Sequence, residues 1–98
     1  MQFDELVQSN TPTLIDFHAT WCGPCKAMAP ILQETKHALG DSVQIIKIDV
    51  DKNPGLAQAL GIQGVPTLIL YRNGQLLWRQ SGVVPKHQLV DIVKKALA

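Results

Sequence analysis

A strand, a long helix and a second strand follow one another in the first half of the chain, and this succession limits the possible folds more than any other feature. Residues 13–18 are mainly apolar, and residues 24–39 repeat apolar side chains at helical spacing. Residues 43–49 are rich in β-branched side chains, which favour a strand. A helix that connects two strands of one sheet makes a parallel crossover, so the two strands are predicted to run in the same direction.

The second half of the chain predicts an antiparallel pair of strands. The dipeptide Asn73-Gly74 is typical of a tight hairpin and separates a strand over residues 67–71 from a strand over residues 75–80. The remaining elements are helices over residues 3–8 and 54–60 and a final helix that begins at Pro85. We therefore expect an α/β fold in a single domain over residues 1–98, with a mixed sheet of about four strands flanked by four helices.

Composition excludes several classes of protein. The chain has 98 residues, 46% of them hydrophobic, which is sufficient for one core. Its formal net charge is +1, so bulk charge predicts neither nucleic-acid nor acidic-membrane binding. No apolar stretch reaches the length of a membrane span. The segment after Met1 has no basic and apolar regions of a signal peptide, so we expect a cytoplasmic protein if Met1 is the natural start.

The chain has only two cysteines, Cys22 and Cys25, which lie three residues apart. A disulfide that closes so short a ring constrains the unfolded chain little, so stabilisation is the weaker explanation for the pair. Secreted scaffolds held by disulfides carry more cysteines at wider spacing. Two cysteines and scattered histidines also fall short of the roughly four ligands of a structural zinc site, so no metal is expected. The pair therefore indicates thiol chemistry.

The placement of the cysteines at a strand-to-helix junction indicates which chemistry they perform. A sulfur at a helix N-terminus faces unpaired backbone N–H groups and the positive end of the helix dipole, and both favour the thiolate form of Cys22. Pro24 fits the first helical turn without loss of a hydrogen bond, and Gly23 allows a tight turn. The pattern predicts that Cys22 attacks a substrate disulfide and that Cys25 then resolves the mixed disulfide. Cys25 lies further along the helix, so we expect it to be the more buried thiol.

Asp16 is the candidate proton acceptor for Cys25. It interrupts an apolar strand just before the motif, where burial would raise the pKa of its carboxyl towards the range of a general base. Lys47 interrupts the neighbouring strand and could lie close to Asp16. The alternative hypothesis is that Asp16 and Lys47 form a buried ion pair, and the two interpretations are compatible.

These residues also resemble the thioredoxin family along nearly the whole chain. The segments that carry the resemblance are Leu14-Ile15-Asp16-Phe17, Trp21-Cys22-Gly23-Pro24-Cys25-Lys26, Asp49-Val50-Asp51-Lys52-Asn53-Pro54, Gly64-Val65-Pro66-Thr67, Asn73-Gly74 and Ser81-Gly82. The resemblance implies a thioredoxin-like fold and a cis peptide bond before Pro66, with the backbone of Val65 offered to a bound substrate strand. The substrate-binding residues that it implies are Trp21, Gly23, Pro24, Gly64, Val65, Pro66 and Gly82.

The function implied by the resemblance is reduction of protein disulfides, with no cofactor beyond the reversible Cys22–Cys25 disulfide. Its implied partners are disulfide-containing proteins and a reductase that restores the dithiol, with no nucleic acid and no membrane. A thiol oxidase or disulfide isomerase on the same fold is the first alternative. It is less favoured because oxidising relatives often carry a histidine between the cysteines. A non-catalytic interaction module is the second, and the presence of both cysteines argues against it.

The sequence departs from the family pattern at two points. His18 stands where many thioredoxins have an aromatic residue, and it could alter packing or tune the thiolate. Thioredoxins also usually begin with a strand before the first helix, whereas this sequence begins at the helix. The strand over residues 43–49 is then predicted to be a sheet edge that could pair with a second chain. We nevertheless expect a monomer.

Overall fold

The computed structural model describes residues 3–98, and its elements follow the predicted order. They are α1 (Phe3–Val7), β1 (Thr13–His18), α2 (Gly23–Leu39), a 3₁₀ turn (Gly40–Ser42), β2 (Gln44–Asp49), α3 (Pro54–Ala59), β3 (Thr67–Arg72), β4 (Gln75–Ser81) and α4 (Lys86–Leu97). The predicted boundaries differ from these by no more than one residue, apart from the 3₁₀ turn, which was not predicted. None of the helices within this range is long and apolar enough to span a membrane.

The four strands form one mixed sheet in the order β2-β1-β3-β4. β1 and β2 are parallel, and the register places Asp16 opposite Lys47. β3 is antiparallel to both β1 and β4. The mixed sheet and the parallel crossover are therefore confirmed. Within the described residues β2 lies at one edge of this sheet, as predicted.

Alternation along β1 divides the core between the two faces of the sheet. Leu14 packs with Met28 and Leu32 of α2 and with Leu89 of α4. Ile15 and Phe17 face the opposite side, where the cluster also contains residues from α1, β2 and β3. Successive side chains of a strand point to opposite faces, so Asp16 shares the face of Leu14. The strand therefore directs its buried carboxyl towards the side of the sheet covered by α2.

The hairpin between β3 and β4 turns through Asn73 and Gly74, both of which have positive φ values, of 54° and 79°. This is the conformation that favours Asn-Gly at such turns. The backbone N–H groups of the turn reach the first helix and its loop: Asn73 donates to Ser9 O at 2.9 Å and Gly74 donates to Val7 O at 2.8 Å. The hairpin thus fixes α1 against the sheet as well as pairing β3 with β4.

Candidate active site

Cys22 and Cys25 are joined by a disulfide at the N-terminus of α2, with 5.3 Å between their Cα atoms. Cys22 is the N-cap residue, and its Sγ accepts a hydrogen bond from the backbone N–H of Cys25 at 3.1 Å. An anionic sulfur in this position would keep the hydrogen bond from the Cys25 N–H. It would also be stabilised by the positive end of the helix dipole. The local geometry is therefore suited to a thiolate at Cys22.

The relative burial of the two cysteines differs from the prediction. The exposed fraction is 4% for Cys22 and 8% for Cys25, so the expectation that Cys25 is the more buried is wrong. The two cysteines form a small cluster with Ala19, and Val50 and Val65 pack against that cluster. Cys25 also lines a cavity that opens to solvent on the α2 side of the sheet. Both residues are buried, but the Val65 loop lies against Cys22 whereas the cavity adjoins Cys25, which makes Cys25 the slightly more accessible of the two.

A loop before β3 lies against the sulfur of Cys22. The Val65–Pro66 peptide bond is cis, as the resemblance implied, and the carbonyl oxygen of Val65 lies 3.5 Å from Cys22 Sγ. The carbonyl oxygen of Pro66 accepts the backbone N–H of Gly82 at 2.8 Å. The fold therefore brings Val65 to Cys22 and joins Gly82 to Pro66, although these predicted residues come from separate parts of the chain.

Thr67 holds this loop and was not among the predicted site residues. Its Oγ1 donates to Gly64 O at 2.6 Å and lies 2.9 Å from Ser81 Oγ. The side chain is fully buried, so it can bond only to protein groups. A threonine directly after a Val-Pro pair at the start of a strand is the sequence signal that could have found it.

Trp21 directly precedes Cys22 and is 70% exposed. Its Nε1 donates to Asp51 Oδ2 at 2.8 Å, which gives Asp51 a contact that the sequence left unassigned. Trp21 also lines a groove of about 100 Å³ together with Ile62, Gln63 and Gly64. The predicted residues Gly23 and Pro24 are exposed at the start of α2. An exposed aromatic ring beside a shallow groove provides an apolar contact surface next to the sulfurs.

Beneath the disulfide, Asp16 lines a cavity of about 270 Å³ together with His18, Cys25, Lys26 and Lys47. Asp16 is 2% exposed, and its Oδ1 has no hydrogen-bond partner among the residues that the structure describes. Burial raises the pKa of Asp16, while the charges of His18 and Lys47 oppose that rise. A carboxyl of raised pKa can both accept and release a proton near neutral pH.

Lys47 lies opposite Asp16 in the register of β1 and β2, as predicted, but its side chain is exposed. Within residues 3–98, the one salt bridge with a nitrogen–oxygen distance of 4.0 Å or less joins Lys95 to Asp91. The hypothesis of a buried ion pair between Asp16 and Lys47 is therefore wrong, because an exposed ammonium group retains its water. Lys47 acts on Asp16 through the cavity, at longer range.

The sequence model of the Thioredoxin family matches residues 1–95. The chain belongs to the thioredoxin family. It is 46% identical over 96 residues to the chloroplastic thioredoxin Y of Oryza sativa subsp. japonica, an alignment that covers 97% of this chain and 57% of the rice protein. It is 44% identical over 87 residues to a thioredoxin of Alicyclobacillus acidocaldarius, covering 89% of this chain and 83% of the relative.

The solved thioredoxin structures agree with this assignment. Mitochondrial thioredoxin 3 of Saccharomyces cerevisiae, in its oxidised form, superimposes with a TM-score of 0.84 at 38% identity, covering 95% of this chain and 87% of the yeast chain. The thioredoxin-like fold predicted from the sequence is therefore confirmed. Three plant relatives are longer, and the chain spans 55–58% of their length.

The thioredoxin assignment accords with the groups that the site contains. Among the described residues, no group of three or more His, Cys, Asp and Glu side chains is arranged as a metal site. The chemical groups next to the disulfide are the buried carboxyl of Asp16, the half-buried imidazole of His18 and the exposed ammonium groups of Lys26 and Lys47. Proton transfer and disulfide exchange are the reactions that such a set can support.

Proposed function

We propose that this protein reduces disulfide bonds in other proteins by dithiol–disulfide exchange. The observation that carries the proposal is the Cys22–Cys25 disulfide at the N-terminus of α2, above a buried carboxyl. The helix N-terminus stabilises an anionic sulfur at Cys22, and the cavity gives Cys25 access to Asp16. Membership of the thioredoxin family supports the same activity.

The reaction begins with both cysteines reduced. The Cys22 thiolate attacks one sulfur of the substrate disulfide, a mixed disulfide forms, and the other substrate sulfur leaves with the bonding electron pair. Cys25 then transfers its proton to the carboxylate of Asp16 and attacks Cys22. The second substrate sulfur leaves as a thiolate, and the Cys22–Cys25 disulfide remains.

The surface around Cys22 supports binding of an extended substrate segment. The carbonyl oxygen of Val65 lies beside the sulfur, and the groove along Gly64 runs to the exposed ring of Trp21. A substrate strand could form backbone hydrogen bonds with this loop, both as donor and as acceptor. Recognition would then depend on the substrate backbone more than on particular side chains. Such recognition suits a reductant of many proteins.

Turnover requires an electron donor, and a reductase specific for thioredoxins is the partner that the family assignment supports. The cytoplasmic location expected from the sequence stays a prediction. The names of the relatives include chloroplastic proteins of rice and Arabidopsis thaliana as well as bacterial thioredoxins.

Trapping of the mixed disulfide tests the attack order. Cys25→Ser should accumulate a covalent adduct with a disulfide-containing protein, because the resolving thiol is absent while Cys22 still attacks. Cys22→Ser is the matched control and should form much less adduct. Equal trapping by the two variants would show that the roles of the cysteines are assigned wrongly.

The reduction potential of the Cys22–Cys25 pair separates a reductant from an oxidant or isomerase. A value near or below about −250 mV supports the proposal, and a value of roughly −180 to −120 mV would replace it by oxidation or isomerisation. Both limits belong to the general redox scale of thiol–disulfide proteins, on which thioredoxins are themselves a reference point. The measurement is an equilibration with glutathione buffers, read as the fraction of free thiol.

A further inference from the structure

The cavity beneath the disulfide contains a titratable side chain that the proposed reaction does not use. His18 is the last residue of β1 and lies two residues after Asp16, so both side chains project from the same face of the strand. His18 is half-buried and lines the cavity together with Asp16 and Cys25. An imidazole therefore lines the same cavity as the two groups between which the proposed reaction transfers a proton.

The other charged groups around His18 come from β2 and α2. Lys47 and Lys26 line the same cavity, and both side chains are exposed. Asp49 lies opposite His18 in the strand register, but its Oδ1 accepts the backbone N–H groups of the two loop residues that follow Val50, at 2.8 and 3.3 Å. The carboxylate of Asp49 is thus engaged with its own loop.

Charge on His18 acts on Asp16 in a defined direction. Burial raises the pKa of Asp16, and among the opposing influences the positive charge of His18 ranks ahead of that of Lys47. Histidine is the side chain whose ordinary titration falls between about pH 5 and 8. Lysine remains charged throughout that range. His18 is therefore a cationic group that lines the same cavity as Asp16 and lies on the same face of β1.

We propose that His18 is a positioning residue for the resolving step, whose charge determines how far into acid Asp16 remains a carboxylate able to accept the proton of Cys25. This inference rests on the proposed disulfide-exchange function. In the resolving step the proton passes from Cys25 to Asp16, the Cys25 thiolate attacks Cys22, and the outgoing thiolate takes the bonding electron pair. His18 takes part in none of these bonds and acts only through Asp16.

A chromogenic aryl disulfide, 5,5′-dithiobis(2-nitrobenzoate), separates the two steps in a stopped-flow experiment. Attack by Cys22 releases the first thionitrobenzoate at a rate that depends on reagent concentration. Attack by Cys25 on the mixed disulfide releases the second at a rate that does not. The second rate is measured from about pH 5 to 9, the range around histidine titration. The proteins are the wild type, His18→Asn, His18→Lys and the control His37→Asn, which changes an exposed histidine near the far end of α2.

The expected results follow from the charge at position 18. His18→Asn removes the positive charge, so the acid limb of the second rate moves to higher pH while the alkaline plateau is unchanged. Two unit charges about 7 Å apart, the spacing of alternate strand residues, change a protonation equilibrium about sevenfold at an effective dielectric constant near 40. The second rate on the acid limb should fall by a similar factor. His18→Lys keeps the charge at every pH and should leave the acid limb at or below its wild-type position.

A double variant shows whether His18 acts through Asp16. In an Asp16→Asn background the further change His18→Asn should not move the acid limb, because the group that His18 influences is gone. Circular dichroism of each variant confirms folding. A shift of the same direction and size in His18→Asn and His18→Lys would overturn the inference, because it would reflect lost packing rather than charge. So would an effect that persists in the Asp16→Asn background.

The outcomes also distinguish this inference from the function on which it rests. A wild-type protein that releases no second thionitrobenzoate would overturn the proposed function, and this inference with it. A wild-type protein that releases the second thionitrobenzoate normally, with an acid limb unchanged in His18→Asn, would overturn the role of His18 alone. His37→Asn should match the wild type at every pH.

Discussion

Replacement of Asp16 by asparagine should stabilise the folded protein, and the gain should grow with pH. The carboxyl is 2% exposed, its Oδ1 has no partner among the described residues, and Lys47 is too exposed to pair with it. An ionised oxygen in such a place is costly, whereas a neutral amide of the same shape avoids the cost of burying charge.

The sign of the pH dependence follows from the direction of the pKa shift. Burial raises the pKa of Asp16 in the folded state above its value in the unfolded chain. Between the two pKa values the folded protein holds a proton that the unfolded chain has lost, so stability falls as pH rises. The stability contributed by the protonated carboxyl is complete below the unfolded-state pKa and disappears as pH rises through the raised folded-state pKa. Asp16→Asn lacks this dependence.

The size of the effect can be set by the general cost of an unpaired buried polar group. That cost is about 1–3 kcal/mol and is larger for a charged group. Asp16→Asn should therefore exceed the wild type in free energy of unfolding by about 1–3 kcal/mol or more at pH 9 and by much less at pH 4. With urea slopes of about 1–3 kcal/mol/M, the alkaline midpoint should rise by roughly 1 M.

Urea unfolding of the oxidised protein, followed by circular dichroism at several pH values, measures this difference. Asp41→Asn is the matched control, because Asp41 is an exposed carboxyl in the 3₁₀ turn and its change should not produce the same trend. The same Asp16→Asn protein should resolve mixed disulfides more slowly near neutral pH, on the order of 100-fold for loss of a general base. A stability difference that is equal at pH 4 and pH 9 would refute the reasoning, since it would show that charge burial is not its source.

Three further substitutions test individual contacts. Thr67→Val removes the 2.6 Å hydrogen bond to Gly64 O that holds the loop before β3. KM for a protein disulfide should therefore rise, while the rate with a small aryl disulfide stays unchanged. The free energy of unfolding in urea should fall by about 1–2 kcal/mol. Gly74→Ala places a side chain at φ 79° and a Cβ 2.7 Å from the Gln8 side chain, so urea unfolding should show a loss of about 1–2 kcal/mol that the additional change Gln8→Ala does not restore. Met28→Leu removes the sulfur that accepts the buried backbone N–H of Val84 at 3.3 Å. A loss of roughly 1 kcal/mol should lower the melting temperature by about 4–8 °C. An unchanged melting temperature would show that this hydrogen bond contributes little to stability.

Local patterns predicted the elements and the orientation of the most important carboxyl. Alternation along β1 was enough to place Asp16 on the face of Leu14, because a strand has a side-chain period of two whatever its neighbours. The Asn-Gly turn predicted the hairpin for an equally local reason, since both residues tolerate a positive φ. The register of β1 and β2 then brought Lys47 opposite Asp16, as the pattern suggested.

Contacts between distant segments could not be read in this way. Phe17 pairs with Thr67 across β1 and β3, and this register carries the cis-proline loop to Cys22. No periodicity links those two residues, so only the family resemblance indicated the loop. The hydrogen bond from Trp21 to Asp51 and the opening beside Cys25 likewise depend on how loops pack after the sheet has formed.

The two sulfurs need different surroundings, and one strand-to-helix junction supplies both. Cys22, at the N-cap, receives a backbone N–H that favours the anion without the help of any titratable group. In the proposed reaction Cys25, one turn further on, loses its proton to a base, and the carboxyl of Asp16 lines the same cavity. Asp16 can serve as that base near neutral pH only because it is buried, and the same burial destabilises the fold at alkaline pH. If Asp16→Asn is more stable and resolves mixed disulfides more slowly, both effects have the same physical cause, the burial of one carboxylate.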